Sequence, residues 1–267
     1  MYMEDFGRDV ELQLPQNKLA ITRSDLLQYP YLEKLHCWAW GVRYYSFGSS
    51  MMQEYGLKED RIAEIIDTDS ANAVDAFTGG RIRFHEKYTE AVVNNMNTIG
   101  YDISNVDVKS GFFSSIDVRL DDYILYATEK DRNTTVTQNA ISQGMFRALA
   151  IIIHITRYAM WDQPTTILID DIGEGLDFER STKLIKLLIG LAENSKNIQL
   201  IMSTNDRYVM NNVPLEYWQV IQRKGGECSV FNCRNRKKQF DELKYTGLNN
   251  FDFLATDFIN KVFLYDF

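Results

Sequence analysis

The sequence predicts an α/β fold in which a parallel-rich sheet is covered by helices. In the second half of the chain, apolar strands alternate with amphipathic helices, an order that is typical of parallel sheets. The strand "TTILID" (165–170) is followed by the helical pattern "ERSTKLIKLLIGLAENS" (179–195) and then by the strand "IQLIMST" (198–204). At 267 residues the chain is long enough for one large domain or two small ones.

Composition and charge exclude several classes of protein. Hydrophobic residues make up 45% and charged residues 25% of the chain, which is ordinary for a globular protein. The net charge of −8 argues against a surface that coats nucleic acid over its whole extent. The apolar runs are too short to span a bilayer, and the stretch "MYMEDFGRDVEL" lacks the features of a signal peptide. With three irregularly spaced cysteines, these features predict a cytoplasmic protein without membrane association.

The first third of the chain predicts a lobe that mixes strands and helices. Alternating stretches in residues 4–21 indicate strands, and an aromatic-rich helix is expected over residues 24–47. Ser70 is a candidate cap for a short helix that stops at Gly79-Gly80. An amphipathic helix is expected from there to Gly100, a residue that is well placed to end it.

Two further stretches complete the predicted organisation. Residues 103–128 alternate as two or three strands, and "QGMFRALAIIIHITRYAM" (143–160) reads as a long apolar helix. We therefore expect an N-terminal mixed lobe or helical insert over residues 1–110 and a core domain over residues 111–267.

The C-terminal segment predicts a hairpin and a closing helix. The hairpin is expected in "GGECSVFNCRNRKKQF" (225–240), and "NFDFLATDFINKVFLYDF" (250–267) reads as the helix. Four cations cluster near the hairpin, namely Arg234, Arg236, Lys237 and Lys238. A solvated face, a partner contact and a phosphate-contacting patch are all open readings of this cluster.

Polar side chains follow two of the predicted parallel strands. Asp170 ends the first strand and Asp171 comes directly after it, and Asn205 follows the next strand. Because chemistry gathers at the carboxyl ends of such strands, we expect these side chains to lie close together. The first carboxylate can hold a magnesium ion through water, and the next can orient or deprotonate an attacking water. Acidic turns after strands are also common where no such chemistry occurs.

The segment "NAISQGMFRALA" offers a second candidate site upstream of the two aspartates. Ser142 and Gly144 open a helix there, and a helix N-terminus presents unpaired N–H donors and a positive dipole end to an anion. A serine at this position is also an ordinary N-cap.

Together these motifs resemble the ATPase core of the ABC/SMC-like class of P-loop ATPases. More narrowly, they are similar to the RecF-like, AAA-type ATP-binding proteins of bacteria found in DNA repair and phage defence. "ISQGMFRALA" resembles that class's signature motif, which puts Ser142, Gln143 and Gly144 in the positions that meet nucleotide. "TILIDDIGEGLD" resembles its Walker B strand and D-loop, with Asp170 in the magnesium position and Asp177 in the D-loop position. "IMSTND" matches the switch strand.

The resemblance runs over residues 111–267 and implies a P-loop NTPase-like head that uses ATP and Mg²⁺. Three departures stand out. Asp171 occupies a position that is usually glutamate, and Asn205 occupies one that is often histidine. The chain contains no Gly-Lys dipeptide and hence no Walker A motif. We therefore expect a missing segment or a partner chain to supply the P-loop, or else a degenerate subunit that never hydrolyses ATP.

In the resembled class two heads sandwich ATP, and this implies a division of roles. Ser142 and Gly144 would act on the nucleotide of a second head, while Asp170, Asp171 and Asn205 would serve the same head. The resemblance implies ATP-dependent dimerisation in an oligomer. A second head or P-loop-bearing chain, an effector protein and nucleic acid are the candidate partners.

Two other functions remain open at the sequence level. The first is a non-catalytic, ATPase-like scaffold that binds and regulates a partner. The second is a two-metal nuclease that uses Asp170 and Asp171, which is disfavoured because such sites draw acids from several elements.

Overall fold

A computed structural model describes residues 2–3, 8–9, 30–46, 72–110, 123–161 and 163–260, which form two three-stranded sheets, two small strand pairs and helices. The strands are β1 (Tyr2–Met3), β2 (Arg8–Asp9), β3 (Val42–Ser46), β4 (Ile103–Ser110), β5 (Tyr123–Glu129), β6 (Thr134–Thr137), β7 (Thr165–Asp170), β8 (Ile198–Met202), β9 (Val220–Lys224) and β10 (Glu227–Phe231). The helices are α1 (Pro30–Trp40), α2 (Ala73–Phe84), α3 (Glu86–Thr98), α4 (Gln143–Met160), α5 (Phe178–Glu193), α6 (Arg207–Asn212), α7 (Lys237–Thr246) and α8 (Asn250–Ala255). Short 3₁₀ turns cover Leu215–Tyr217 and Phe258–Asn260.

The predicted parallel sheet is confirmed, with strand order β3-β7-β8. Strand β7 lies in the middle and is covered on both faces, because Ile167 and Ile169 are buried on one face and Thr166 on the other. The helix α5 connects β7 to β8 and packs against β8 and α4. The two strands that precede the candidate polar residues are therefore neighbours, as expected.

Strand β3 corrects the prediction of one helix over residues 24–47. Within the described part of that segment, helix α1 ends at Trp40 and β3 follows it. Gly41 lies between the two elements and packs closely against the chain before β7, because a Cβ there would lie 2.6 Å from the carbonyl oxygen of Pro164. Aromatic residues fit a half-buried strand as well as a helix, so periodicity alone missed β3. One strand of the sheet thus comes from residues 1–110, and the two-domain division stays a prediction. Most of the strands expected in residues 4–21 lie outside the described residues.

The predicted helix break at Gly79-Gly80 is wrong. Helix α2 runs through both glycines from the N-cap Asn72, and the chain breaks instead at His85, whose φ is 56°. Gly80 allows close packing, because a Cβ there would lie less than 3.0 Å from the Tyr88 ring. The expected stop at Gly100 is confirmed, since α3 ends at Thr98 and Gly100 has a φ of 96°.

Helix α4 runs through the centre of the main core. Its residues from Ala148 to Tyr158 are all buried, as expected of a largely apolar helix, and the buried set includes His154, Thr156 and Arg157. Helices α2, α3 and α5 pack against it, and α2 and α3 also contact the antiparallel sheet β4-β5-β6. None of the helices in the described ranges is long and apolar enough to cross a membrane.

A second, smaller core lies at the C-terminal end of the described chain. It gathers Leu215, Trp218, Val220, Phe240, Leu243, Phe253, Phe258 and Ile259. The predicted hairpin is present but begins earlier, as β9 and β10 joined at Gly225-Gly226. The cations 234–238 follow the hairpin and lead into α7. Helix α8 is shorter than the predicted closing helix, and residues 261–267 lie outside the description.

Candidate functional site

Hydrogen bonds join the carboxyl ends of β7 and β8. The Ser203 N–H donates to the Ile169 carbonyl at 2.8 Å, and the Ile172 N–H donates to the Ser203 carbonyl at 3.0 Å. The Thr204 hydroxyl donates to the Ile172 carbonyl, also at 3.0 Å. The turn after β7 and the turn after β8 are therefore held together, which brings the two aspartates and the segment of Asn205 to one edge.

Asp170 receives hydroxyl donors at both of its carboxylate oxygens. The Ser203 hydroxyl donates to Oδ1, and the Tyr44 hydroxyl of β3 donates to Oδ2 at 3.2 Å. The negative charge of Asp170 raises the pKa of Tyr44, with a smaller contribution from desolvation. Sequence reasoning missed both partners. The pairing of Ser46 with Asp170 in the sheet brings Tyr44 near the carboxylate. The sequence could not predict this pairing, because it assigned the segment of β3 to a helix.

Asp171 sits in a left-handed backbone conformation, with a φ of 54°. Its N–H donates to the Ser203 hydroxyl at 3.0 Å, and its side chain is exposed. Aspartate tolerates this region far better than most residues, because its short polar side chain bonds locally. This geometry gives a physical reason for aspartate at a position where the resembled class usually has glutamate.

Asp170 fits a magnesium ion that takes most of its ligands from elsewhere. Mg²⁺ is usually held by one or two carboxylates together with substrate phosphates and waters. Across the described ranges, no group of three His, Cys, Asp or Glu side chains is arranged to hold a metal. Asp170 would serve such an Mg²⁺ as a carboxylate ligand beside phosphate and water.

Asn205 lies in a tightly bonded turn between β8 and α6. The Asp206 carboxylate caps α6 by accepting from the N–H groups of Tyr208 and Val209 at 2.6 and 3.0 Å. The Thr204 hydroxyl accepts from the Asp206 N–H at 3.1 Å. Asn205 is exposed between these two anchored residues and is therefore accessible to a ligand.

The start of α4 presents the three predicted signature residues. Ser142 is the N-cap and accepts from the Met145 N–H at 3.2 Å. Its hydroxyl thus has the ordinary capping role that the sequence left open. Ser142 and Gln143 are exposed, Gly144 is buried, and the first turn of the helix holds no acidic residue. An anion at this end would meet no carboxylate of that turn.

The start of α4 packs directly against the turn after β7. A Cβ on Gly144 would lie less than 3.0 Å from the Gly175 carbonyl oxygen, so only glycine permits this approach. Arg147, one turn further along α4, donates to the Glu174 carbonyl at 3.1 Å. The predicted signature and D-loop segments are therefore in contact within one chain.

Asp177, the predicted D-loop residue, caps helix α5. Its carboxylate accepts from the Arg180 N–H at 3.0 Å and pairs with the Arg180 guanidinium at 2.5 Å. The backbone N–H and then the side chain of Arg180 lower the pKa of Asp177. The residue is exposed, and its hydrogen bonds are those of a helix N-cap.

A parallel α/β core with carboxylates at the strand ends and a glycine-containing helix start beside them is the arrangement expected of the ATPase class that the motifs resemble. The sequence matches a family described as "AAA domain, putative AbiEii toxin, Type IV TA system" over residues 48–211, more than half of the chain. The chain belongs to this family, so it carries an AAA-type ATPase domain. The predicted α/β ATPase fold class and family resemblance are confirmed at this level.

Solved structures show distant similarity. An SMC ATPase described for ATP-driven dimerization and DNA-stimulated activation is 16% identical, with a TM-score of 0.40, and the match covers 61% of this chain and 97% of that one. The Smc head domain with coiled coil and joint from Pyrococcus yayanosii is 17% identical, with a TM-score of 0.42, over 61% of this chain and 30% of that one. The Smc head bound to the C-terminal domain of ScpA from Pyrococcus furiosus is 14% identical, with a TM-score of 0.42, over 64% and 40%. No curated protein matches the chain.

Proposed function

We propose that the chain is the ATP-binding and ATP-hydrolysing part of an ABC/SMC-like head. In this proposal Asp170 holds the magnesium side of the site and Asp171 orients the attacking water. Asn205 hydrogen-bonds the terminal phosphate or that water, since an amide can donate and accept but cannot take up a proton. The observation that carries the proposal is the hydrogen-bonded edge where the turns after β7 and β8 meet. Magnesium, when bound with nucleotide, would neutralise phosphate charge there.

The signature residues serve a second head in this proposal. Ser142 and Gln143 are exposed at the start of α4, and the contact of Gly144 with Gly175 fixes them relative to the turn that carries Asp171. The N–H groups of a helix start attract anions through unpaired donors and the helix dipole. ATP would therefore bring two heads together, which makes the active form an oligomer.

In this proposal the P-loop comes from another segment or chain, because these 267 residues contain no Gly-Lys dipeptide. Strand β8 offers a place for the strand that would carry it. Among the described residues β8 pairs only with β7, and Ile201 on β8 is 50% exposed. An apolar, unpaired strand edge is a template for another strand. We infer that a P-loop-bearing segment or partner chain pairs there.

The decisive experiment combines the chain with each P-loop-bearing polypeptide that the neighbouring DNA encodes. We expect Mg²⁺-dependent phosphate release by the pair and none by the isolated chain. Asp171→Asn should abolish turnover while ATP-dependent association, followed by size-exclusion chromatography with light scattering, persists. Glu174→Gln, a change of the same kind in the same turn, should keep turnover. Unchanged turnover in Asp171→Asn would overturn the role given to that residue.

The second candidate function is a non-catalytic scaffold that binds and regulates an effector protein. Asp171 and Asn205 in place of the usual residues favour it, as does the occupation of both Asp170 oxygens by hydroxyl donors. Calorimetry decides between the two functions. If neither the chain nor its complex with the P-loop polypeptide binds Mg-ATP, the scaffold is correct.

The biological setting that we propose is phage defence or DNA repair in the cytoplasm of a bacterium. The resemblance to RecF-like proteins supports it, and the description of the matching family includes a toxin–antitoxin system. Efficiency of plating on cells that express the complete system, with Asp170→Ala as the inactive variant, tests the defence arm. Survival after DNA damage tests the repair arm.

A further inference from the structure

The β9–β10 hairpin projects from the small C-terminal core. At its base Val220 is buried, whereas residues 227–230 on β10 are all exposed. Five exposed cations lie on the hairpin and on the segment that follows it, and we call them the basic hairpin surface: Arg223, Lys224, Arg234, Lys237 and Lys238. Unlike most of this acidic chain, the region carries a strong local excess of positive charge.

The size of this excess is clear from the sequence. Residues 219–238 contain six Lys or Arg and one Glu, a net charge of +5, whereas the whole chain carries −8. The remaining residues therefore sum to −13. A cation cluster that opposes the charge of its own protein is the electrostatic footprint of a polyanion site.

Helix stability does not explain the lysines of this surface. Lys237 and Lys238 occupy the first turn of α7, where the helix dipole disfavours cations. The N-cap Arg236 makes no side-chain capping bond, and its guanidinium lies 4.7 Å from the centre of the Phe231 ring. An anion that bound here would relieve the repulsion between these cations and the helix end.

The hairpin itself has the dimensions of a groove-binding ribbon. Each strand has five residues, so the ribbon is about 17 Å long. Two antiparallel strands fit the major groove of B-form DNA, which is about 12 Å wide. On the outer face Ile221 lies opposite Val230, and these side chains are 72% and 48% exposed. The neighbouring pair on the same face is Arg223 and Cys228. Apolar groups on such a face suit the methyl groups of thymine.

We propose that the basic hairpin surface binds double-stranded DNA, with the ribbon in the major groove and its cations against the phosphates. The Arg223 Nε donates to the Gly225 carbonyl at 3.1 Å, which anchors that side chain at the hairpin tip. Lys237 and Lys238 contact the backbone beside the groove. A-form RNA has a major groove too narrow for side chains to read, so DNA is the partner that this shape fits. The inference is independent of ATP hydrolysis.

Fluorescence anisotropy with a labelled 20-base-pair DNA duplex, measured over a series of salt concentrations, tests the proposal on the full chain. Arg223→Gln with Lys224→Gln should weaken binding for every duplex sequence and reduce the magnitude of the salt slope by about 2, since each lost phosphate contact removes about one. Lys237→Gln with Lys238→Gln should act similarly. Lys186→Gln with Lys196→Gln is the matched control, because both lysines are exposed elsewhere and the charge change is equal.

Three results would overturn the proposal. One is an unchanged affinity and slope in both hairpin variants, and another is an equal loss in the control pair. The third is equal or tighter binding of a duplex RNA or a single strand of the same length. That result would exclude binding of the ribbon in the major groove of DNA. Circular dichroism melts of all variants ensure that a loss of binding is not a loss of fold.

Discussion

Gly144, at the start of helix α4, lies against the carbonyl oxygen of Gly175 in the turn after β7. This contact leaves no room for a side chain and joins two segments that are 31 positions apart in the sequence. The guanidinium of Arg147 also links the two segments, because it donates to the Glu174 carbonyl oxygen at 3.1 Å. Because the turn also carries Asp171, the position of the start of α4 and that of the edge with Asp170 and Asp171 depend on one another.

Gly144→Ala is expected to destabilise the protein by about 1–3 kcal/mol, because the added methyl overlaps a backbone oxygen that cannot move freely. Gly190→Ala in helix α5 is the matched control, since a Cβ there meets nothing within 4 Å. In that helix the change should stabilise by about 0.5–1 kcal/mol through helix propensity. Urea denaturation of both variants measures the difference, and a similar effect of the two changes would contradict the close contact.

Asp171→Ala is expected to cost about 1–2 kcal/mol of stability, because alanine is strained at a φ of 54°. Asp171→Asn should change the free energy of unfolding by only a few tenths of a kcal/mol, since asparagine shares the tolerance of aspartate. Asp171→Gly should not destabilise through the backbone. Chemical denaturation of the three variants checks the order, and equal losses for Asn and Ala would refute it.

The sequence predicted those parts of the fold that depend on local patterns. The apolar run of β7 and the period of α5 were sufficient to predict both elements and the parallel pairing with β8. Asp170, Asp171 and Asn205 were correctly expected at one edge, because parallel strands end together.

The parts that the sequence did not predict depend on tertiary contacts. Tyr44 reaches Asp170 only through the register of β3 with β7, and its aromatic segment fitted a helix equally well. Gly80 lies inside α2, where the Tyr88 ring occupies the space that a side chain would need. No local sequence pattern reveals this contact. The hydroxyl of Ser203 bridges two strand ends, a role that appears only when the strands are paired.

Ser203→Ala is expected to lower the free energy of unfolding by about 1–2 kcal/mol, because it removes a charge-assisted bond to Asp170 and a bond from the Asp171 N–H. The two strand ends should then exchange their amide hydrogens faster. Ser229→Ala, at an exposed position of β10, is the control and should be nearly neutral. Hydrogen exchange at Ile172 follows the effect, and unchanged protection there would contradict the bridging role.

Tyr45 should make the stability of the protein fall in alkaline solution. Its hydroxyl lies 3.0 Å from the His154 Nδ1 in the core between β3 and α4, and burial raises its pKa to about 12. The folded state therefore holds this proton more tightly than the unfolded state, whose value is 10.0. The contribution of Tyr45 to stability is fully present below pH 10.0 and is lost as the pH rises toward about 12.

The expected loss is about 1.4 kcal/mol per pH unit for one such tyrosine. Burial also raises the pKa of Tyr88 and Tyr158, which steepens the total dependence. Tyr45→Phe should remove one tyrosine's share of the slope, although it also lowers stability at neutral pH by removing the bond to His154. Tyr245→Phe is the control, because that tyrosine is 85% exposed. Urea denaturation at several pH values from 8 to 12 measures the slopes. If Tyr45→Phe and the wild type lose stability in parallel over this range, the Tyr45 proton is not linked to folding.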